Sequence, residues 1–139
     1  MVRKIYAAGG MTGLSEAEMC TWRKLLKNLI ANATAHKVAV FDPTEHFSFE
    51  ELKDNLITDK ETMNIDLWNL SDSDLVVMNF NNPQSIGTAV ELGFAHAKGI
   101  PVIGLNEHDY PLHAWQKEMC VKIFLDLEDL FLYMVKHYL

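Results

Sequence analysis

Short, uninterrupted apolar runs separated by segments of helical spacing constrain the fold of this chain more than anything else in it. Lys4-Ile5-Tyr6-Ala7-Ala8, Val38-Ala39-Val40-Phe41, Asp74-Leu75-Val76-Val77-Met78-Asn79 and Pro101-Val102-Ile103-Gly104-Leu105 each have strand length, and Val121 to Leu125 reads as a last strand. They lack the polar-apolar alternation of a strand with one wet face. Strands apolar on both sides belong in the interior of a parallel sheet covered by helices on both faces.

The intervening segments agree. Ser15-Glu16-Ala17-Glu18 has capping-box spacing and precedes Met19, Trp22, Leu25, Leu26, Leu29 and Ile30 at helical intervals. Asp42-Pro43 stops the second strand. Phe47 to Leu56 is weakly helical, and Lys60 to Leu70 more clearly so, with Met63, Leu67 and Leu70 on one stripe. Asn81-Asn82-Pro83-Gln84 breaks the third strand, Gly87 to Lys98 forms a helix closed by Gly99, and Leu127 to Tyr138 a terminal helix. The expected architecture is an α/β doubly wound parallel sheet, one domain over residues 1–139. Ligands of such sheets bind outside the carboxyl ends of the strands, where strand order reverses. Gly9 to Gly13, Asp42 to His46, Asn79 to Thr88 and Asn106 to Tyr110 are the segments expected at that edge.

Composition narrows the partners. Hydrophobic residues make up 49% and charged residues 22% of 139, enough apolar mass for one packed core and no second domain. The net charge is −7 with the 12 Lys and Arg scattered, so a nucleic-acid polymer is repelled, whereas helix-start N–H groups can still hold one phosphate. No apolar run has the roughly 20 residues of a membrane span, and no long apolar segment follows the first charges. The chain is therefore expected to be soluble and cytoplasmic, without membrane association. Cys20 and Cys120 lack ligand or disulfide-framework spacing and read as plain thiols, and the sequon at Asn32 has no consequence without secretion.

Two clusters bear on chemistry. Gly9-Gly10-Met11-Thr12-Gly13 is neither a dinucleotide fingerprint nor a P-loop. It is a strand-to-helix turn or a backbone cradle for a sugar or phosphate. In the second cluster, Ser85 to Ala95, Glu91 falls one turn into a helix that starts at the ligand edge, among Ala89, Val90, Leu92, Phe94 and Ala95. A carboxylate there costs free energy unless it is hydrogen-bonded or used. By themselves, Glu91 reads equally as a capping or surface glutamate, Asp66 as a solvated helix residue and Tyr6 as a buried strand aromatic.

Together with Ile5-Tyr6-Ala7-Ala8-Gly9 and Asp66-Leu67-Trp68, the stretch Gly87-Thr88-Ala89-Val90-Glu91-Leu92-Gly93-Phe94-Ala95 resembles the nucleoside 2-deoxyribosyltransferase family. The resemblance runs in order over roughly residues 3 to 105. It implies a flavodoxin-like fold and a glutamate, here Glu91, that attacks C1′ of the sugar to give a glycosyl ester. A second base or water then resolves the ester. It further implies that Asp66 contacts substrate, that Tyr6 helps position the nucleophile, and that Gly9, Gly10, Thr12, Ser85, Gly87 and Thr88 line the substrate. The substrate is a small-molecule nucleoside or nucleotide. It also implies a homodimer or higher homo-oligomer in which a neighbour completes each pocket, with His113 in the segment that reaches across.

Transferases of the family carry an aspartate at the position of Ser85. A serine there is similar instead to the family's deoxynucleoside 5′-monophosphate hydrolases, which in turn carry an arginine where this chain has Thr12. Transfer and hydrolysis both stay open, and Ser85 also reads as a plain helix N-cap. His46, His96 and His108 lack metal-ligand spacing with carboxylates, so neither a metal nor a cofactor is expected. A different class of function on the same fold, a non-catalytic nucleotide-sensing module, has no need of Glu91.

Overall fold

The computed structural model describes residues 1–46, 49–54 and 56–139. Its centre is a five-stranded, all-parallel sheet of β1 (Lys4–Gly9), β2 (Ala39–Phe41), β3 (Leu75–Asn79), β4 (Val102–Leu105) and β5 (Lys122–Phe124), in the order β2-β1-β3-β4-β5. The helices are α1 (Glu16–Ala33), α2 (Phe49–Lys53), α3 (Asp59–Ser71), α4 (Ile86–Ala97), α5 (Ala114–Glu118) and α6 (Leu127–His137). This is the flavodoxin-like order, and its switch point lies between β1 and β3. Those strands are in register from Ile5 opposite Leu75 to Gly9 opposite Asn79, so both end at one level.

Period-two alternation splits each interior strand between two cores. Ile5, Ala7, Leu75 and Val77 face Leu26 and Ile30 of α1 and Leu130 and Met134 of α6. Tyr6, Ala8, Val76 and Met78 face Leu70 of α3 and Leu92 and Ala95 of α4. All eight strand residues are fully buried, which is why those runs contain no polar residue. The same alternation delivers Tyr6 to the α3–α4 side of the sheet.

Local signals fix the helix starts. Ser15 accepts from the Glu18 amide at 3.1 Å while Glu18 accepts from the Ser15 amide at 3.0 Å, a capping box worth about 1 kcal/mol. Thr58 and Glu61 repeat the device, starting α3 at Asp59, one residue before the expected Lys60. Gly99 closes α4 with φ +71, a conformation that favours glycine.

Several details depart from expectation. Leu25 and Met63, placed on buried stripes by spacing, are exposed, and α3 buries Leu70 fully but leaves Trp68 70% exposed. The weakly helical segment Phe47 to Leu56 contains α2, while Phe47, Ser48 and Asn55 lie outside the described residues. The helix α5 was not expected from spacing. No helix among the described residues is long and apolar enough to cross a membrane.

Candidate active site

Two cavities open at the carboxyl ends of the strands, the larger beyond β1 and β2 and the smaller beyond β1 and β3. The larger, about 940 Å³, is lined by residues of the glycine loop and start of α1, the Pro43–His46 turn, α2 and α3, among them Met11, Met19, His46 and Asp66. The smaller, about 430 Å³, is lined by Gly9, Met11, Thr12, Asp66, residues Asn82 and Gln84 to Thr88, and Glu91. Met11, Thr12 and Asp66 belong to both, so the two are lobes of one cleft with Asp66 at the junction. Three of the four expected edge segments contribute. Asn106 to Tyr110 does not, because the Asn106 side chain ties that loop to itself through the Tyr110 amide and carbonyl.

Glu91 comes from the second turn of α4, Asp66 from α3 and Tyr6 from β1. Glu91 is only partly open to the cavity, and burial pushes its carboxyl up to about 7. Asp66 adds to that rise, while the Tyr6 hydroxyl and Arg23 oppose it. Burial likewise raises Asp66 to about 6 against the pull of Arg23, and its Oδ1 is buried without a hydrogen bond among the described residues. Tyr6 is fully buried, and burial first, then the charges of Glu91 and Asp66, hold its phenol far above the ordinary value. It is therefore a permanent neutral donor. Among the described residues no partner stands within ordinary hydrogen-bond length of its hydroxyl, yet Glu91 is close enough to couple to it. Such a cluster of desolvated titratable groups in a cleft is what an acid-base or nucleophilic site requires.

At the start of α4, Ser85 is the N-cap, its Oγ accepting from the Thr88 amide at 3.3 Å. That leaves the Ser85 hydroxyl hydrogen free to donate into the smaller lobe. Thr88 is 2% exposed and its hydroxyl has no partner among the described residues. A Cβ on Gly87 would meet nothing within 4 Å, so its bare backbone faces open space. Gly9 lines the lobe, but Gly10 does not: its amide donates to Asn81 Oδ1 at 2.8 Å, and a Cβ there would sit 2.9 Å from the Asn82 Cβ. His113 is exposed and apart from both lobes of its own chain, where it caps α5 by accepting from the Trp115 amide at 3.1 Å.

Sequence reasoning missed Arg23. Its side chain is completely buried and donates to the carbonyls of Met19, Ala7 and Gly9 at 2.6, 3.0 and 3.1 Å. The signal was present: Arg23 stands four residues after Met19 and three before Leu26, on the buried stripe of α1. Also missed were Asn81, which anchors the glycine loop, and the lining residues Asn82 and Gln84.

The sequence pattern of the nucleoside 2-deoxyribosyltransferase family matches residues 5–130. The chain belongs to this family. The chemistry of the family, in general terms, is cleavage of or transfer at an N-glycosidic bond, and Tyr6, Asp66, Ser85 and Glu91 lie within the matched span. Solved structures share the fold. A conserved protein from Enterococcus faecalis V583 superimposes with a TM-score of 0.83 at 23% identity over all of both chains. A 2-deoxyribosyltransferase from Bacillus psychrosaccharolyticus gives 0.70 at 20% identity, covering 92% of this chain and 90% of that one. The CMP N-glycosidase of Clostridium botulinum gives 0.60 at 17% identity over 99% and 100%. No match was found among curated proteins.

Proposed function

We propose that this deoxyribosyltransferase-family member cleaves the N-glycosidic bond of a 2′-deoxynucleoside or its 5′-monophosphate through a covalent intermediate on Glu91. The observation that carries the reading is Glu91 itself: a carboxyl raised to about 7 on the wall of a cleft, with Asp66 and Tyr6 acting on it. The sugar occupies the smaller lobe and the base extends past Asp66 into the larger one, between Met11, Met19 and His46. Ionised Glu91 attacks C1′ as the C1′–N bond breaks, and the bond's electrons leave with the base, which takes a proton from Asp66 or water. A second base or a water molecule then attacks C1′, the C1′–O bond to Glu91 breaks and the carboxylate is released. The proton lost by the attacking nitrogen or water passes to Asp66 or to solvent; attack by water gives the sugar, or its 5′-phosphate from a monophosphate. The neutral Tyr6 hydroxyl donates to whichever Glu91 oxygen is not reacting and so orients the nucleophile.

The smaller lobe supports a 5′-phosphate. Ser85, Thr88 and the first amides of α4 offer neutral donors at a helix start, where the dipole favours an anion. Among the described residues no lysine or arginine lines either lobe, so recognition would rest on those donors. The active species is a homo-oligomer in which the segment carrying His113 closes a neighbour's cleft.

The test is Glu91→Ala with a panel of deoxynucleosides and 5′-monophosphates, each with and without a second free base. Wild type should release base and the variant should not, with its circular dichroism unchanged. A 2′-fluoro analogue should add one sugar mass to a peptide containing Glu91. Label on another residue, or near-normal turnover by the variant, rejects the reading; nucleotide binding without any base release favours a sensing module.

A further inference from the structure

Neither the packing of the core nor the steps at Glu91, Asp66 and Tyr6 account for a buried arginine at position 23. Its three donors hold Met19, Ala7 and Gly9, and Gly9 forms part of the wall of the lobe that Glu91 faces. The guanidinium thus lies one residue behind the cavity. Among the described residues, the carboxylate paired with it is Asp42, whose Oδ1 is 3.8 Å from Nε, too far for a strong hydrogen bond. That oxygen is already taken by the Thr44 hydroxyl at 2.6 Å and amide at 2.8 Å. Carbonyls solvate a cation without cancelling its charge, and Asp42 answers it only in part. The remainder acts forward through a dry interior. The titratable groups around it are Tyr6 on β1, Cys20 on its own helix, Asp42 after β2, Asp66 on α3 and Glu91 on α4.

We infer that Arg23 is a positioning residue of the glycosidic reaction, pinning the start of the glycine loop from behind Gly9 and supplying a positive charge that favours the carboxylate of Glu91 against its burial. The inference rests on the reading of Glu91 as nucleophile. Its sign is definite. Removing the cation disfavours the carboxylate, so Glu91 protonates more readily and the acidic limb of the rate profile moves to higher pH. Removing the opposing negative charge at Asp42 has the reverse effect. A merely structural Arg23 would lower stability and move neither.

The experiment is a carbon-13 carboxylate titration of Glu91 by NMR in the full chain, assigned with Glu91→Gln, on wild type, Arg23→Lys, Arg23→Met and Asp42→Asn. In Arg23→Met the midpoint should rise by about one pH unit, which approaches a tenfold loss of ionised Glu91 well below the wild-type midpoint. Arg23→Lys keeps the charge and should stay close to wild type, and Asp42→Asn should lower the midpoint. The acidic limb of kcat/KM for base release should follow the same order. An unmoved Glu91 midpoint in Arg23→Met and Asp42→Asn overturns the inference. Should Arg23→Met fail to fold, Asp42→Asn decides alone, because a midpoint that does not fall overturns it equally. Midpoints that move in a protein releasing no base from any substrate reject the nucleophile reading while upholding the electrostatic placement of Arg23.

Discussion

Glu91 is held where folding would rather not have it. Its carboxyl lies at about 7 in the folded protein against an ordinary 4.5, so between those pH values the folded chain binds the extra proton. The stability contributed by the neutral carboxyl is therefore complete below about 4.5 and lost as pH rises through about 7. Asp66, raised to about 6, adds in the same direction over a lower window. Glu91→Gln removes the ionisation while keeping the shape. It should gain on the order of 2 kcal/mol over wild type at pH 8, several degrees in Tm, and almost nothing at pH 4. Thermal melts of both proteins from pH 4 to 9 check this; a gain independent of pH would mean the carboxylate is not desolvated. At this scale the sequence was informative where a residue type conflicted with its surroundings, as for Glu91 among apolar neighbours. Residue type alone was silent on Tyr6, whose phenol is indistinguishable in sequence from core packing; only the family resemblance pointed to it before β1 is seen to turn it towards α4. Arg23 was legible in principle, since an arginine on an apolar stripe is such a conflict, but only the helix geometry shows that its partners are backbone carbonyls.

The elements differ in how much of themselves they announce. β1, β3 and β4 are apolar on both faces because both faces are covered, and a continuous run can be read without knowing the fold. β2 and β5 have only three residues each and meet the sheet at its edges, so their bounds fell short of the expected ones. A five-residue helix such as α5 has no period to detect, and its sole signature is the cap at His113 with Gln116 three residues on. The start of α4 bears directly on function. Ser85 caps the helix through its oxygen and still has a hydrogen to give, so Ser85→Ala separates the two roles. Loss of the cap, about 1 kcal/mol, affects every substrate alike. Loss of a charge-assisted bond to phosphate, roughly 1.5–3 kcal/mol, should weaken a 5′-monophosphate about ten- to a hundredfold and leave the nucleoside almost untouched. Steady-state kinetics on the matched pair of substrates measures the ratio. An equal change for both would make Ser85 a cap and nothing more, and would favour base exchange on unphosphorylated nucleosides.

On the scale of the whole molecule, the cleft bears on how chains would assemble. It opens broadly to solvent, and the loop after β4, at the same edge of the sheet, is folded on itself instead of covering it. Around the cleft, large apolar side chains remain in water: Trp68 on α3 and Trp115 on α5 are each 70% exposed, and Ile86 at the start of α4 is 82% exposed. Single exposed hydrophobes need no explanation, but two indoles on α3 and α5 and an isoleucine at the start of α4 are the residues that the proposed association of chains would bury. Fold class and cleft address were readable from the order of strands and helices. The outer faces of the helices were not: helical spacing placed Met63 of α3 inside where the structure leaves it exposed, and gave no sign of the exposure of Trp68, Trp115 or Ile86. The expected outcome is a dimer or larger assembly by light scattering at assay concentration, with Trp68→Ser shifting it towards monomer. Trp68 makes little burial within its own chain, so that variant should keep its melting temperature when dilute. If a neighbour's His113 segment completes the cleft, kcat/KM should fall in parallel with the fraction of assembled protein, and His113→Ala should lower activity without dissociating the assembly. A fully active monomer would remove the reason for placing His113 at a partner's site and would require the cleft to work open.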